Sequence, residues 1–295
     1  MNKLKGYIFG LISVFSWGTV FIISRFVIHS EIIDPFVLAF WRFLWATFFL
    51  LFLIKFDFKR TFKIFKEDIF KFILLSLSGI YLMSTFIFIS VRTSSATVSS
   101  ILMSSNPIFV ILISFIFLKE KISIEKLLGV FIGFLGCAIV IKEDFKIFSW
   151  IGENINIYAL LAAICWAIYT VMGEEPTKKY GAIETTFIAS FIGTFLLFLT
   201  VKLLNLNLWG KNIFGFLSGI YLGLIPTGIG FTLWFSALNY MKPSLLAPFQ
   251  YLTPIITYFL SVLILKEKIS MVVFVGMFLI FSSLFLIQKK EIDRN

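Results

Sequence analysis

Leu118-Lys119-Glu120-Lys121-Ile122-Ser123 returns letter for letter as Leu265-Lys266-Glu267-Lys268-Ile269-Ser270, 147 positions further along the chain. The register holds on either side: Asn106-Pro107 falls on Thr253-Pro254, Gly129 on Gly276 and Phe131 on Phe278. Upstream, with small gaps, Ser78-Gly79-Ile80-Tyr81-Leu82 answers Ser218-Gly219-Ile220-Tyr221-Leu222, and Ser16-Trp17-Gly18 answers Cys165-Trp166-Ala167. The duplication spans nearly the whole chain. Its period is too long for a solenoid, whose units run to roughly 20–50 residues, and suits two halves of one membrane fold.

Composition agrees. Of 295 residues, 59% are hydrophobic and only 14% charged, with a mean hydropathy of +0.99. A soluble domain carries roughly 25% charge, so a polytopic membrane protein is expected. The net charge of +10 would suggest nucleic acid in a soluble chain. Here Lys and Arg sit in short loops between apolar runs, which reads as membrane topology, with no nucleic-acid partner. Cys137 and Cys165 lie inside apolar runs and pack there as small hydrophobes. The solitary His29 reads as structural. The basic, apolar N-terminus imitates a signal peptide, but its apolar run is too long, lacks a cleavage motif and has an internal copy at Trp166; it is expected to be a mature transmembrane helix.

Apolar runs long enough to cross a hydrocarbon core of about 30 Å fall at about 6–28, 35–54, 70–91, 95–117, 125–141, 156–174, 181–204, 213–238, 244–264 and 270–288. The expected fold is all-α and integral to the membrane: ten transmembrane helices as two five-helix repeats, 1–141 and 156–295, joined by an outer linker at 142–155. Five is odd, so the second repeat must insert upside down. With both termini cytoplasmic, the inner loops and tails carry 17 Lys and Arg and the outer ones 7, the bias that the positive-inside rule requires. The basic loop after the second helix has a counterpart, Asn205 to Asn212, with one Lys. Lys266 and Lys268, outside in this scheme, run against the rule.

Polar groups within the spans carry the functional reading. Arg25, near the outer end of its helix, is expected to snorkel or to pair with Glu31 or Asp34. Arg42 lies about 10 Å into the second helix, seven residues from its start at about 1.5 Å each. It is either a structural anchor or a cation that attracts anionic groups. No Asp or Glu falls mid-span, which disfavours a proton-coupled extruder of organic cations, because that chemistry uses a buried carboxylate. Pro107 and Pro254, near the middle of the fourth and ninth helices, free the carbonyls of Met103 and Gln250 and are candidate hinges. Ser104, Ser105 and Asn106 cluster at the first, and Pro248, Gln250, Tyr251 and Thr253 at the second. Such groups either glue helices together or line a wet cavity. Trp17, Tyr81, Trp166, Tyr169, Tyr221 and Trp234 place N–H and O–H groups mid-span, where each needs a partner. Gly129 and Gly133 form a small-residue face expected to serve close helix packing.

Together, the duplicated five-helix pattern, Trp17, Pro35 with Trp41-Arg42-Phe43, Asn106-Pro107 and the Leu-Lys-Glu turns before Gly129 and Gly276 resemble the ten-helix EamA-type branch of the drug/metabolite transporter superfamily, over residues 6–288. The resemblance implies a permease of the cytoplasmic membrane, often an exporter of amino acids or other small metabolites. It also implies a central cavity to which Trp17, Tyr81, Asn106, Trp166, Tyr221 and Gln250 contribute. The four-helix multidrug branch places a Glu in its first helix, where this chain reads Ser16-Trp17-Gly18-Thr19, so drug–proton antiport is not implied. The expected substrate is a small neutral, zwitterionic or anionic metabolite moved by alternating access. A larger amphiphile, such as a lipid-linked sugar or a nucleotide derivative, is the alternative within the same fold. Outside it stands a non-transporting membrane subunit, against which the short polar loops speak. An enzyme is not expected, since the spans hold neither a nucleophile with a base nor a metal-ligand cluster. No cofactor or metal is anticipated, and the lipid bilayer and a small-molecule substrate are the expected partners of a monomer.

Overall fold

The computed structural model describes residues 2–93, 96–140, 157–265 and 271–292. The expected linker at 142–155 and positions 266–270 of the second hexapeptide lie outside the described residues. Every regular element among the described residues is a helix: α1 (Asn2–His29), α2 (Pro35–Leu53), α3 (Phe58–Glu67), α4 (Ile69–Thr93), α5 (Ala96–Met103), α6 (Asn106–Leu118), α7 (Ile124–Val140), α8 (Ile157–Tyr180), α9 (Ala182–Leu203), α10 (Ile213–Ala237), α11 (Pro243–Ile264) and α12 (Met271–Ile292). Seven of them, α1, α2, α4, α8, α9, α10 and α11, are long and apolar enough to cross a membrane. The chain is a multi-pass helical membrane protein.

Local chemistry explains where helices begin and where they distort. α2 opens at Asp34-Pro35: the Asp34 carboxylate accepts from Phe36 N at 2.9 Å, and Pro35 has no N–H to leave unpaired. Asn212 caps α10 in the same way through Phe214 N. The expected fourth span, 95–117, is divided into α5 and α6 at Ser104-Ser105. Pro107 cannot donate to the turn before it, while Ser104 and Ser105 donate to the carbonyls of Ser100 and Leu102. In α11 the turn Ala247–Tyr251 tightens to 3-10 geometry just ahead of Pro254. Both α4 and α10 widen to π geometry, at Ser76–Leu82 and Gly223–Ile229. α3 has no counterpart among the expected spans. It is a short amphipathic helix between α2 and α4.

The halves pack by exchanging helices. α7 lies along α12, where a Cβ on Gly129 would stand 2.5 Å from Ile287 and one on Gly136 2.9 Å from the Gly276 carbonyl. α2 lies along α9, with Thr47 and Thr194 hydroxyls 3.2 Å apart. α1 is tied to α10 and α11, as Ser13 donates to Gly230 O and Thr257 donates to Gly18 O. α8 stands in the same relation to α4 and α6. The Tyr169 ring covers Gly79, and Asn106 Nδ2 donates to Ala163 O at 2.9 Å.

Charged residues gather at the two ends. At one, Asp68 accepts from the Tyr180 hydroxyl at 2.6 Å and pairs with Lys179, Lys71 meets Glu175 at 2.6 Å, and Arg60 meets Glu184 at 2.8 Å. Lys3, Lys178 and Lys242 share a depression at this end. At the other, Lys211 pairs with Glu31 at 2.9 Å and Arg92 with Asp34 at 3.7 Å. Arg25 Nη1 donates to the Val91 carbonyl there, a backbone partner outside the two carboxylates the sequence offered.

Candidate functional site

A cavity opens where α1, α2, α4, α5, α8, α10 and α11 converge. Its walls are apolar and aromatic: Trp17, Phe21, Trp166 and Phe231, with Met83 and Ile87 from α4. Polar groups are few and come from the distorted segments. Ser100 stands before the α5–α6 break and Ser104 within it, and Gln250 and Thr253 stand around the tightened turn of α11. Arg42 enters from α2.

Arg42 is the decisive group. It is 3% exposed, and its Nε donates to Thr227 Oγ1 at 2.6 Å. Its guanidinium carbon lies 5.1–5.7 Å from the ring centroids of Phe43, Phe88 and Phe231. No carboxylate pairs with it among the described residues. Aromatic faces attract a cation, by up to about 2 kcal/mol when desolvated, which offsets only part of the cost of burying one.

Trp17 also lines the cavity. Its indole donates to the Pro226 carbonyl at 2.8 Å. Pro226 lies within the π-wound turn of α10, so Trp17 fixes the segment that also carries Thr227. The Trp17 ring meets Trp166 edge-on at 5.1 Å and Trp234 at 4.9 Å. Trp234 is fully buried behind it and donates to Thr170. Two residues that line the cavity carry buried donors with no partner among the described residues: Trp166 Nε1 and Gln250 Nε2.

The six residues expected to line a cavity divide. Trp17, Trp166 and Gln250 line it, and Arg42 joins them. Tyr81 turns toward α9, with its hydroxyl 2.9 Å from Thr200 Oγ1. Asn106 is fully buried against α8. Tyr221 donates to Thr19 Oγ1 at 3.1 Å. Thr227 and Phe231 were absent from the expected set. A signal for Thr227 exists, since Pro226 interrupts an apolar span just as Pro107 and Pro254 do.

The model of the EamA-like transporter family matches residues 4–142 and 154–288, one copy in each half. The chain belongs to the EamA-like transporter family. It is a membrane transporter of that family, within the drug/metabolite transporter superfamily. This EamA protein is 26% identical over 293 residues to an uncharacterized transporter of Archaeoglobus fulgidus, covering 99% of both chains. It is 24% identical to one of Clostridium kluyveri, over 95% of this chain and 92% of the relative. The Bacillus subtilis uncharacterized transporter YetK is 26% identical over 77% of this chain and 71% of its own. A crystal structure superposes on the EamA chain with a TM-score of 0.76, covering 97% of this chain and 96% of that one; at 16% identity it shares the fold alone.

Proposed function

We propose that the chain is a permease that exports small metabolites bearing a carboxylate or a similar acceptor-rich group. It does so by alternating access around the cavity between its two halves. The observation that carries this reading is the chemistry of the cavity's polar groups. Among the described residues the buried Arg42 has no carboxylate partner, and Trp166 Nε1 and Gln250 Nε2, which have no partner there, are donors as well. A ligand that supplied oxygen acceptors would suit this set of donors, while the aromatic wall takes its apolar part. For an anion, a membrane potential negative inside favours outward movement by about 2.3 kcal/mol per charge per 100 mV, so export needs no coupling ion.

In this reading the chain crosses the cytoplasmic membrane ten times as two inverted five-helix repeats, with both termini in the cytoplasm. Two contacts support the inversion. The end of α1 meets the end of α4 through Arg25 and Val91, whereas the end of α8, the copy of α1, meets the start of α4 through Lys71 and Glu175. α1 and α8 therefore run in opposite directions along α4. The exchange of α1 with α10 and α11, mirrored by α8 with α4 and α6, supports a two-fold relation between the halves.

The test is flux in proteoliposomes loaded with a panel of labelled carboxylates, amino acids and neutral metabolites. Efflux of carboxylate-bearing compounds that weakens in Gln250→Ala is the expected result. A panel in which nothing moves, with protein folded and oriented, would overturn the permease reading. Movement of neutral compounds alone would overturn the part assigned to Arg42.

A further inference from the structure

α3 and α9 line a second, apolar groove, separate from the central cavity. Its walls are two facing rows of side chains: Phe58, Phe62 and Phe65 from α3, and Phe187, Phe191 and Ile192 from α9. Phe62 is 57% exposed and Phe191 58%. Phenyl rings this open belong in contact with hydrocarbon, not water.

The rest of α3 has the opposite character. Lys59, Lys63 and Lys66 follow one another at helical spacings of four and three, and so share one face. All three are exposed, and none pairs with a carboxylate among the described residues. Lys66 Nζ stands 4.5 Å from the Phe62 ring centroid, which places a cation at the groove's edge, and Lys59 contributes to the groove lining. Arg60, by contrast, is committed to Glu184 at 2.8 Å and pins α3 against the start of α9. Like charges at such spacings destabilise a helix unless an anion lies between them. An amphipathic helix of this kind, basic on one face and aromatic on the other, lies in the membrane interface.

We infer that the α3–α9 groove binds an anionic phospholipid, with an acyl chain between the two phenylalanine rows and the phosphodiester held by Lys59, Lys63 and Lys66. A second copy of this chain fits less well. The chain carries a net charge of +10, and a symmetric contact through this face would set the lysine row against itself. The inference stands apart from the transport reading, because it concerns a different surface and binding is read without flux.

The experiment uses the full chain, delipidated in neutral detergent. Retention of phosphatidylglycerol is compared with that of phosphatidylcholine of identical acyl chains, by native mass spectrometry, with thermal shift as a parallel readout. Phosphatidylglycerol should be retained in preference, and the preference should fall by about fivefold for each lysine neutralised. The triple variant Lys59→Gln, Lys63→Gln, Lys66→Gln should therefore lose it, while the double variant Lys119→Gln, Lys121→Gln, which is basic but away from the groove, should keep it. Equal retention of the two lipids by the unaltered protein would overturn the inference, and needs no variant to fold. So would loss of preference in the Lys119/Lys121 variant as large as in the triple, which would reduce the effect to general charge. A thermal shift from inorganic phosphate equal to that from phosphatidylglycerol would also overturn it, because the acyl chain would then contribute nothing.

Discussion

Arg42 Nε donates to Thr227 Oγ1 across 2.6 Å, so the buried cation of α2 is held by the π-wound turn of α10, 185 residues away. A structural anchor and a substrate-binding cation make opposite demands on this pair. Removing a buried charge that lacks a counter-ion is neutral or stabilising when an apolar side chain of similar volume replaces it. Arg42→Met is therefore expected to unfold at the same or a higher temperature and to lose carboxylate efflux. Destabilisation together with normal efflux would identify the anchor role instead. Thr227→Val leaves the guanidinium donor buried and unpaired, and should cost about 1–3 kcal/mol of stability.

Trp17 holds the same turn through the neighbouring Pro226 carbonyl. Trp17→Phe keeps an aromatic wall but removes that bond, which a buried carbonyl feels at about 1 kcal/mol. Efflux should fall further than the stability loss explains, because the bond also sets where Thr227 and therefore Arg42 stand. Thermal melts and flux on the same preparation separate the two effects.

Gly79 tests the packing of α4 against α8. A Cβ added there would stand 2.1 Å from the Tyr169 ring, and Tyr169 is fully buried. The ring cannot swing aside into free space, so Gly79→Ala should destabilise by about 3 kcal/mol or more. The double variant Gly79→Ala, Tyr169→Leu should recover part of the loss. No recovery in a thermal melt would mean that the strain lies in the π-wound backbone and not in the ring.

Asp68 gives a pH dependence. The Tyr180 hydroxyl and then Lys179 hold its carboxyl down, from an ordinary 3.8 to about 2. A lowered native pKa contributes stability that is complete above the unfolded value and disappears as pH falls through the folded one. Asp68→Asn should therefore melt below the parent at pH 7. The gap should close between about pH 4 and pH 2, where the parent's own carboxyl takes up a proton. A gap unchanged down to pH 2 would show that the charge is not what ties α4 to α8.

The long spans and the division into halves are legible in the sequence because both rest on local quantities, namely apolar length and an internal repeat. Trp17, Trp166 and Gln250 are legible as cavity residues for a related reason: each puts a polar atom at mid-span depth, where it needs a use. The α5–α6 break is only half legible. Pro107 announces a distortion, but the side-chain bonds of Ser104 and Ser105 to the preceding turn decide that it becomes a full interruption. α3 is invisible to a search for long apolar runs, since its signature is a periodic alternation of Phe and Lys over ten residues. The partner of Arg42 could not be read at all. It depends on how two helices from different halves are rotated against each other, which no local pattern encodes.

Asn106 and Gln250 occupy similar places in the two halves, yet their surroundings give them different work. Asn106 is fully buried and donates to the Ala163 carbonyl at 2.9 Å, bridging α6 to α8. Gln250 lines the cavity and leaves its Nε2 without a partner among the described residues. Truncating Asn106 strips a buried carbonyl of its donor, so Asn106→Ala should cost about 1–3 kcal/mol of stability. Any loss of efflux should then follow the loss of folded protein. Gln250→Ala removes an amide whose Nε2 has no partner among the described residues. Stability should hold or rise slightly, while efflux falls about tenfold if one hydrogen bond to the substrate is lost. The split is read by measuring melting temperature and initial efflux rate for both variants. Equal behaviour of the two would mean that neither amide meets the substrate, and the donor-lined cavity would lose its strongest support.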